Sequence, residues 1–155
     1  MMSQNKPKEL ELIRQLIGEF AVVVAIKKAE GKNVFGRGTM TAKPTPERHG
    51  VTAELDIHLE GVEDYVESEL WGFDQATGKM HMFSITSKGE AHDHEGQWLN
   101  DKTLELHWKG YVEGEELEEK ITVTWIDKNQ IKVKETDFSK GNIKKQIDYV
   151  FRRSL

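Results

Sequence analysis

A ten-stranded antiparallel up-and-down barrel with one N-terminal helix is the all-β fold class that this sequence predicts, and three observations carry it. Nine turn signals follow one another at short, even spacing from residue 19 to the C-terminus. Between them apolar and polar residues alternate with the period of two that a half-buried strand requires. No stretch between turns has room for a crossover helix, so each strand must pair antiparallel with the next. Ten consecutive strands twist and curl, and two long open edges would invite pairing with other chains. Closure removes both edges, and an even strand count lets the first and last strands meet antiparallel. An immunoglobulin-like sandwich or a jelly roll needs long cross-connections, and none is visible here.

Residues 7–17 read as the one helix. Pro7 suits its first turn, Leu10, Ile13, Leu16 and Ile17 recur on one face, and Gly18 stands where a left-handed C-cap is expected. The turns then fall at Glu30-Gly31, Pro44-Thr45-Pro46, Glu60-Gly61, Asp74 to Gly78, Lys88-Gly89, Asn100-Asp101, Gly114-Glu115, Lys128-Asn129 and Lys140-Gly141. The strands between them place the barrel over about residues 19–153. Gly36-Arg37-Gly38 lies inside the second strand and reads as a bend where the sheet curls, since no helix follows it to cradle a phosphate.

The chain has 155 residues, which suits a single domain over 1–155. Charged residues make up 32% and the hydrophobic set 37%, enough Trp, Phe, Ile, Val and Leu to bury a core. A net charge of -5, with no basic run longer than a pair, argues against nucleic acid as a partner. The absence of Cys removes disulfides, thiolate metal sites and Cys nucleophiles together. Met1 to Lys6 lacks the apolar stretch of a signal peptide and no run is long enough to span a membrane, so a cytoplasmic protein is expected.

Three short motifs carry a family resemblance. Leu16-Ile17-Gly18-Glu19-Phe20 follows the helix, Trp71-Gly72-Phe73-Asp74 stands at the central hairpin, and Tyr149-Val150-Phe151-Arg152-Arg153 closes the chain. Together they resemble the uncharacterised bacterial family called domain of unknown function 1579, over most of the chain. That family is similar to the calycins, the lipocalins and fatty-acid-binding proteins, whose first strand carries Gly-x-Trp and whose last strand supplies an Arg that packs over the Trp. The matching positions are Gly18, Glu19 and Phe20, with Arg152 or Arg153 as the Arg. Phe in place of Trp leaves a weaker cation-to-ring contact. The resemblance implies a barrel with a cavity, and no established activity.

Register follows from the turns, because a slip of one residue would move every side chain to the other face. A four-residue loop after Asp74 sets Phe73 against Met80 and Trp71 against Met82. A three-residue loop over Ser87 to Gly89 sets Met82 against His94 and Ser84 against His92. A three-residue loop over Asn100 to Lys102 sets Trp98 against Leu104 and His94 against Trp108. A two-residue Gly114-Glu115 turn then sets Trp108 against Ile121, Leu106 against Val123 and Leu104 against Trp125. Three-residue loops at Lys128 to Gln130 and Ser139 to Gly141 set Trp125 against Val133, Val133 against Ile147 and Glu135 against Lys145. One continuous face results, with Tyr65, Trp71, Met82, Trp98, Leu106, Trp108, Ile121, Val133 and Tyr149 on it. The same face carries Glu67, Glu69, Ser84, His92, His94, Glu135 and Lys145, which a dry core would not accept unpaired. Either the interior is wet or these polar groups sit at the rim.

Glu90-x-His92-x-His94 puts three metal-ligand types on one side of one strand, and imidazoles so spaced bind zinc when a neighbouring strand adds a ligand. His58, His81 and His107 point to the other side in this register. We therefore expect no metal and no resident cofactor, with the two histidines hydrogen-bonded inside the cavity or on the surface. Glu67 and Glu69, opposite Thr86 and Ser84, could act with an imidazole in acid-base chemistry, or could be solvated surface groups in an acidic stretch. Glu135 and Lys145 read as a cross-strand ion pair or as an anchor for a ligand head group. No nucleophile motif or phosphate loop is present. The reading is a non-catalytic barrel binding a small apolar or amphipathic molecule, gripped by Trp71, Met82, Trp98, Trp108 and Tyr149 and oriented by Glu69, Ser84, His92 and His94. Two alternatives stand beside it: an enzyme using His92 or His94 with Glu69, and haem binding through an axial His92 or His94. Neither a membrane nor a nucleic acid is expected as partner, and the oligomeric state is open, a homodimer included.

Overall fold

A computed structural model describes residues 7–154. Its strands are β1 (Gly18–Lys28), β2 (Val34–Pro44), β3 (Gly50–Leu59), β4 (Tyr65–Asp74), β5 (Lys79–Thr86), β6 (Ala91–Asn100), β7 (Thr103–Val112), β8 (Glu115–Asp127), β9 (Gln130–Ser139) and β10 (Asn142–Arg153). They form a closed barrel in which each strand pairs antiparallel with its sequence neighbours and β10 returns to β1. Strict alternation explains why these segments are strands: in β3, Val51, Ala53, Leu55, Ile57 and Leu59 are buried while the residues between them face solvent. Met1 to Lys6, on which the expectation about a leader rested, lies outside the described residues. Among these, no helix is long and apolar enough to cross a membrane.

The helix is shorter than the expected 7–17. Helix α1 spans Lys8–Ile13 with Pro7 as its N-cap, and a 3-10 turn continues it over Arg14–Leu16. Ile17 is already extended, at φ -65° and ψ 130°, so Gly18 does not cap the helix. Its φ of 141° serves another purpose, because a Cβ there would run into the guanidinium of Arg153. Arg153, rather than Arg152, closes the barrel. It donates to the carbonyls of Ile17 (2.6 Å), Gln15 (3.2 Å) and Lys128 (2.9 Å), and its Cζ lies 4.6 Å from the centre of the Phe20 ring. One side chain thus ties the helix, β1 and the β8–β9 turn together.

Because direction alternates along the meander, the β2–β3, β4–β5, β6–β7 and β8–β9 turns share the helix end of the barrel. There α1 packs against β3 and β4, with Leu10, Ile13 and Leu16 buried as a plug. Phe20, Met80, Leu104, Leu106, Trp125, Ile131 and Phe151 are buried with them. In β2, Gly38 lies so close to the Asp56 carbonyl that no side chain fits, which allows the tight approach of β3 where the sheet curls.

The expected register holds from β4 to β7: Trp71 pairs with Met82, Phe73 with Met80, Met82 with His94, Ser84 with His92 and Trp98 with Leu104. Beyond β7 it departs by two residues. The chain turns at Glu113-Gly114, one residue earlier than expected, with φ of 51° and 78° as a type I′ turn requires. Trp108 therefore pairs with Glu119, Leu106 with Ile121 and Leu104 with Val123. At β8–β9 and β9–β10 the expected three-residue loops are two-residue turns, each with a bulge nearby. Trp125 meets Ile131 instead of Val133, Tyr149 meets Val133, Ile147 meets Glu135, and Lys145 meets Asp137 instead of Glu135. A displacement of two exchanges partners but keeps every side chain on its face.

Candidate functional site

The barrel encloses a cavity of about 170 Å³. Strands β1 to β3 supply an apolar wall of Val24, Ile26, Met40, Leu55 and Ile57. Across the ring, β4, β5, β6, β8 and β9 present Glu67, Glu69, Ser84, His92, His94, Glu119, Glu135 and Asp137, with Lys145 from β10. Exposed Lys88, in the β5–β6 turn, lines its outer end, so the mouth lies opposite the helix.

Two acids share the β4 side. The Tyr65 hydroxyl donates to Glu67 Oε1 at 2.8 Å, and the Trp71 indole donates to Glu69 Oε1 at 3.1 Å. Burial holds the Glu67 carboxyl well above the usual carboxylate range, and the charge of Glu69 and a hydrogen bond to it push the same way. Burial raises Glu69 too, against the opposing hydrogen bonds from Glu67 and Trp71. Both carboxyls of this pair are thus held above the usual carboxylate range, Glu67 well above it. On the β9 side, burial raises Glu135 well above its ordinary value, helped by the charges of Asp137 and Glu119. Burial also raises Asp137, although Lys145 at 3.4 Å opposes the shift. For Lys145 burial works downward, but Asp137 and Glu135 outweigh it and the ammonium is held charged. The Tyr149 hydroxyl, buried among these carboxylates, is pushed well up by burial first and by Glu135 and Glu67 next.

Glu119 bridges the two histidines. His92 Nδ1 lies 2.9 Å from Oε1 and His94 Nε2 lies 3.0 Å from Oε2. His94 Nδ1 also donates to the Met82 carbonyl at 3.1 Å. Burial disfavours a charged His94, yet the hydrogen bond and charge of Glu119, with the Met82 carbonyl, outweigh it and raise its pKa. Burial likewise works against ionised Glu119, but the two imidazoles overcome it and hold its pKa down. With acceptors at both ring nitrogens, His94 is an imidazolium bound to a carboxylate.

Of the residues expected to form the site, Glu69, Trp71, Met82, Ser84, His92, His94 and Tyr149 line the cavity. Trp98 and Trp108 do not. Trp98 stacks on Trp125, ring centres 4.9 Å apart, toward the helix end. Trp108 lies over Gly110, whose missing side chain leaves room for the indole, and stacks on His92 at 3.5 Å. Glu69 bonds to Trp71 rather than to either imidazole, so the acid-base pair sketched from sequence is not formed. Sequence reasoning missed Glu119 and Asp137. Both continue the alternation of their strands, Glu119 with Ile121 and Val123 and Asp137 with Val133 and Glu135, and that parity alone would have found them.

No family model matches the chain, and no curated protein proves similar to it. Among solved structures it is similar to the S-type phycobiliprotein lyase CPES from Guillardia theta, at 8% identity over 94% of this chain and 92% of that one, with a TM-score of 0.67. It is similar to Rv2717c from M. tuberculosis, at 13% identity over 97% and 100% of the two chains, with a TM-score of 0.72. A redesigned β-barrel, mFAP0, bound to DFHBI, matches at 10% identity over 90% and 99%, with a TM-score of 0.53. At these identities the likeness is one of fold, a closed antiparallel β-barrel.

Proposed function

We propose that this barrel is a non-catalytic binder of a small amphipathic molecule, about one aromatic ring in size, held in its interior. The observation that carries the reading is the two-sided cavity: an apolar wall from β1 to β3 faces a polar wall from β4 to β9. An apolar cavity of about 150 Å³ accepts benzene, and drug-sized ligands occupy about 300 Å³ or more. The cavity of about 170 Å³ belongs with the smaller guests. The ring of the ligand lies against Leu55, Ile57, Trp71 and Tyr149, and its polar group points to Glu69, Ser84 and His94. Carboxylates dominate that wall, which favours a neutral donor or a cationic group over an anion. A barrel of similar fold bound to DFHBI supports small-molecule binding as a use of this architecture. Membership of the uncharacterised family that the three motifs resemble is part of the same proposal, as is a cytoplasmic location.

Native mass spectrometry of the protein as purified, followed by thermal shifts with one-ring amines, alcohols and carboxylates, tests the reading. We expect retained mass or a raised Tm with the amines or alcohols, and loss of that shift in Met82→Trp, which fills the cavity. A bare mass together with no shift from any of the three classes would overturn it.

A further inference from the structure

We propose that His92, His94 and Glu119 form a binding site for one divalent first-row transition ion, with Asp137 and Glu135 as adjoining ligands. The site goes beyond the small-molecule reading and does not depend on it. Ligand atoms of His92, His94 and Glu119 all lie within 4.8 Å of one another, and those of Glu119, Glu135 and Asp137 do the same. Glu119 belongs to both groups, so it joins five donors from β6, β8 and β9 into one cluster on the polar wall. Each imidazole nitrogen stands 2.9 or 3.0 Å from its own Glu119 oxygen. Two ligands about 2.1 Å from a common ion are about 3.0 Å apart at a right angle and about 3.4 Å apart at the tetrahedral angle of Zn²⁺. An ion can therefore replace the shared protons with the donor atoms parting by about 0.5 Å at most.

Three further observations support a cation there. The Met82 carbonyl takes the Nδ1 proton of His94 and so aims Nε2 at the cluster, the outer hydrogen bond that metal-bound histidines ordinarily make. Stacking on Trp108 fixes the plane of His92 in the same way. Independently of both, Asp137 is only 4% exposed, and its Oδ1 is buried with no hydrogen-bond partner while it lines the cavity beside the other four. A buried carboxylate oxygen in that position is one that a cation would satisfy. Two imidazoles with carboxylate oxygens and no thiolate suit Zn²⁺, Co²⁺, Fe²⁺ or Mn²⁺ and not Cu⁺. The spacing of His92 and His94 pointed to such a site in the sequence; what the sequence reading lacked was the ligand from a neighbouring strand, and Glu119 supplies it.

The test uses the whole protein stripped with a chelator and titrated calorimetrically with Zn²⁺. One equivalent should bind, and Glu119→Gln, which keeps the side-chain shape, should weaken binding by at least about 100-fold, beyond the effect of losing an outer-shell partner. His81→Gln, at an exposed His–Asp pair, should leave it unchanged. Co²⁺ added to the unmodified protein gives a second measurement that does not depend on any variant folding: the imidazole proton resonances it displaces should be those of His92 and His94. Absence of saturable Zn²⁺ binding, stoichiometric binding that survives Glu119→Gln, or Co²⁺ shifts confined to His49, His58, His81 or His107 would each overturn the site. A failure of the organic-ligand screen would leave these results untouched, so the two proposals fail separately.

Discussion

Gly18 and Arg153 show how much one close contact can decide. Gly18→Ala places a methyl group against the guanidinium and forces an L side chain to a φ of 141°. We expect a loss of about 1–3 kcal/mol in urea unfolding, from strain and from the displaced Arg153 hydrogen bonds. The buried acids make a second prediction. Glu67 and Glu69 have folded pKa values raised above their unfolded ones, with Tyr65, Glu135 and the charge of His94 as their titratable surroundings. The native state then holds more protons than the unfolded state above the ordinary carboxylate range, so stability is greatest in mild acid and falls as pH rises through the raised values. Glu119, held low, loses its contribution only in stronger acid. With chelator present, Tm should decline as pH rises above the ordinary carboxylate range, and Glu67→Gln should flatten the decline. At this scale the sequence told which way side chains face, because parity is local, but not which atoms meet. That is why Glu67, Glu69, His92 and His94 were legible as interior residues, while the Glu119 bridge between the histidines was not.

Turns and the helix were read less accurately than the strands they join. The nine turns stood where Gly, Asn, Asp and Pro cluster, yet the residues that form the bend at β7–β8 were Glu113-Gly114. A type I′ turn needs positive φ at both central positions, and Glu at the first of them gives no such signal in a sequence. Asn tolerates that conformation, so Glu113→Asn should stabilise the protein by about 0.5 kcal/mol, readable as a raised urea midpoint with unchanged m. The helix was overextended because Leu16 and Ile17 continue its apolar stripe. Its end is set by tertiary contact: Arg153, far away in sequence, takes the Ile17 and Gln15 carbonyls. A helix of six residues has little stability alone, and packing of Leu10 and Ile13 onto the barrel holds it.

For the molecule as a whole, the fold class followed from turn spacing and alternation, since ten short antiparallel strands leave few ways to bury their edges. Cavity size could not be read in this way. It depends on how far side chains such as Trp108 lean from their strands, and sequence parity does not encode lean. That size now bears on the haem alternative. At about 170 Å³ the cavity is well below the pockets of drug-sized ligands, and His92 and His94 are both engaged by Glu119. Haem added to the purified protein should produce no shifted Soret band, as read by absorbance titration. The pairing of β1 with β10 carries a different consequence, in time instead of space. Phe20 finds its partner in Arg153, across the whole of the barrel sequence, so β1 keeps an unpaired edge until β10 has left the ribosome. Through most of synthesis the nascent sheet is open at both sides, and a ribosome that stalls before β10 leaves a sticky meander rather than a barrel.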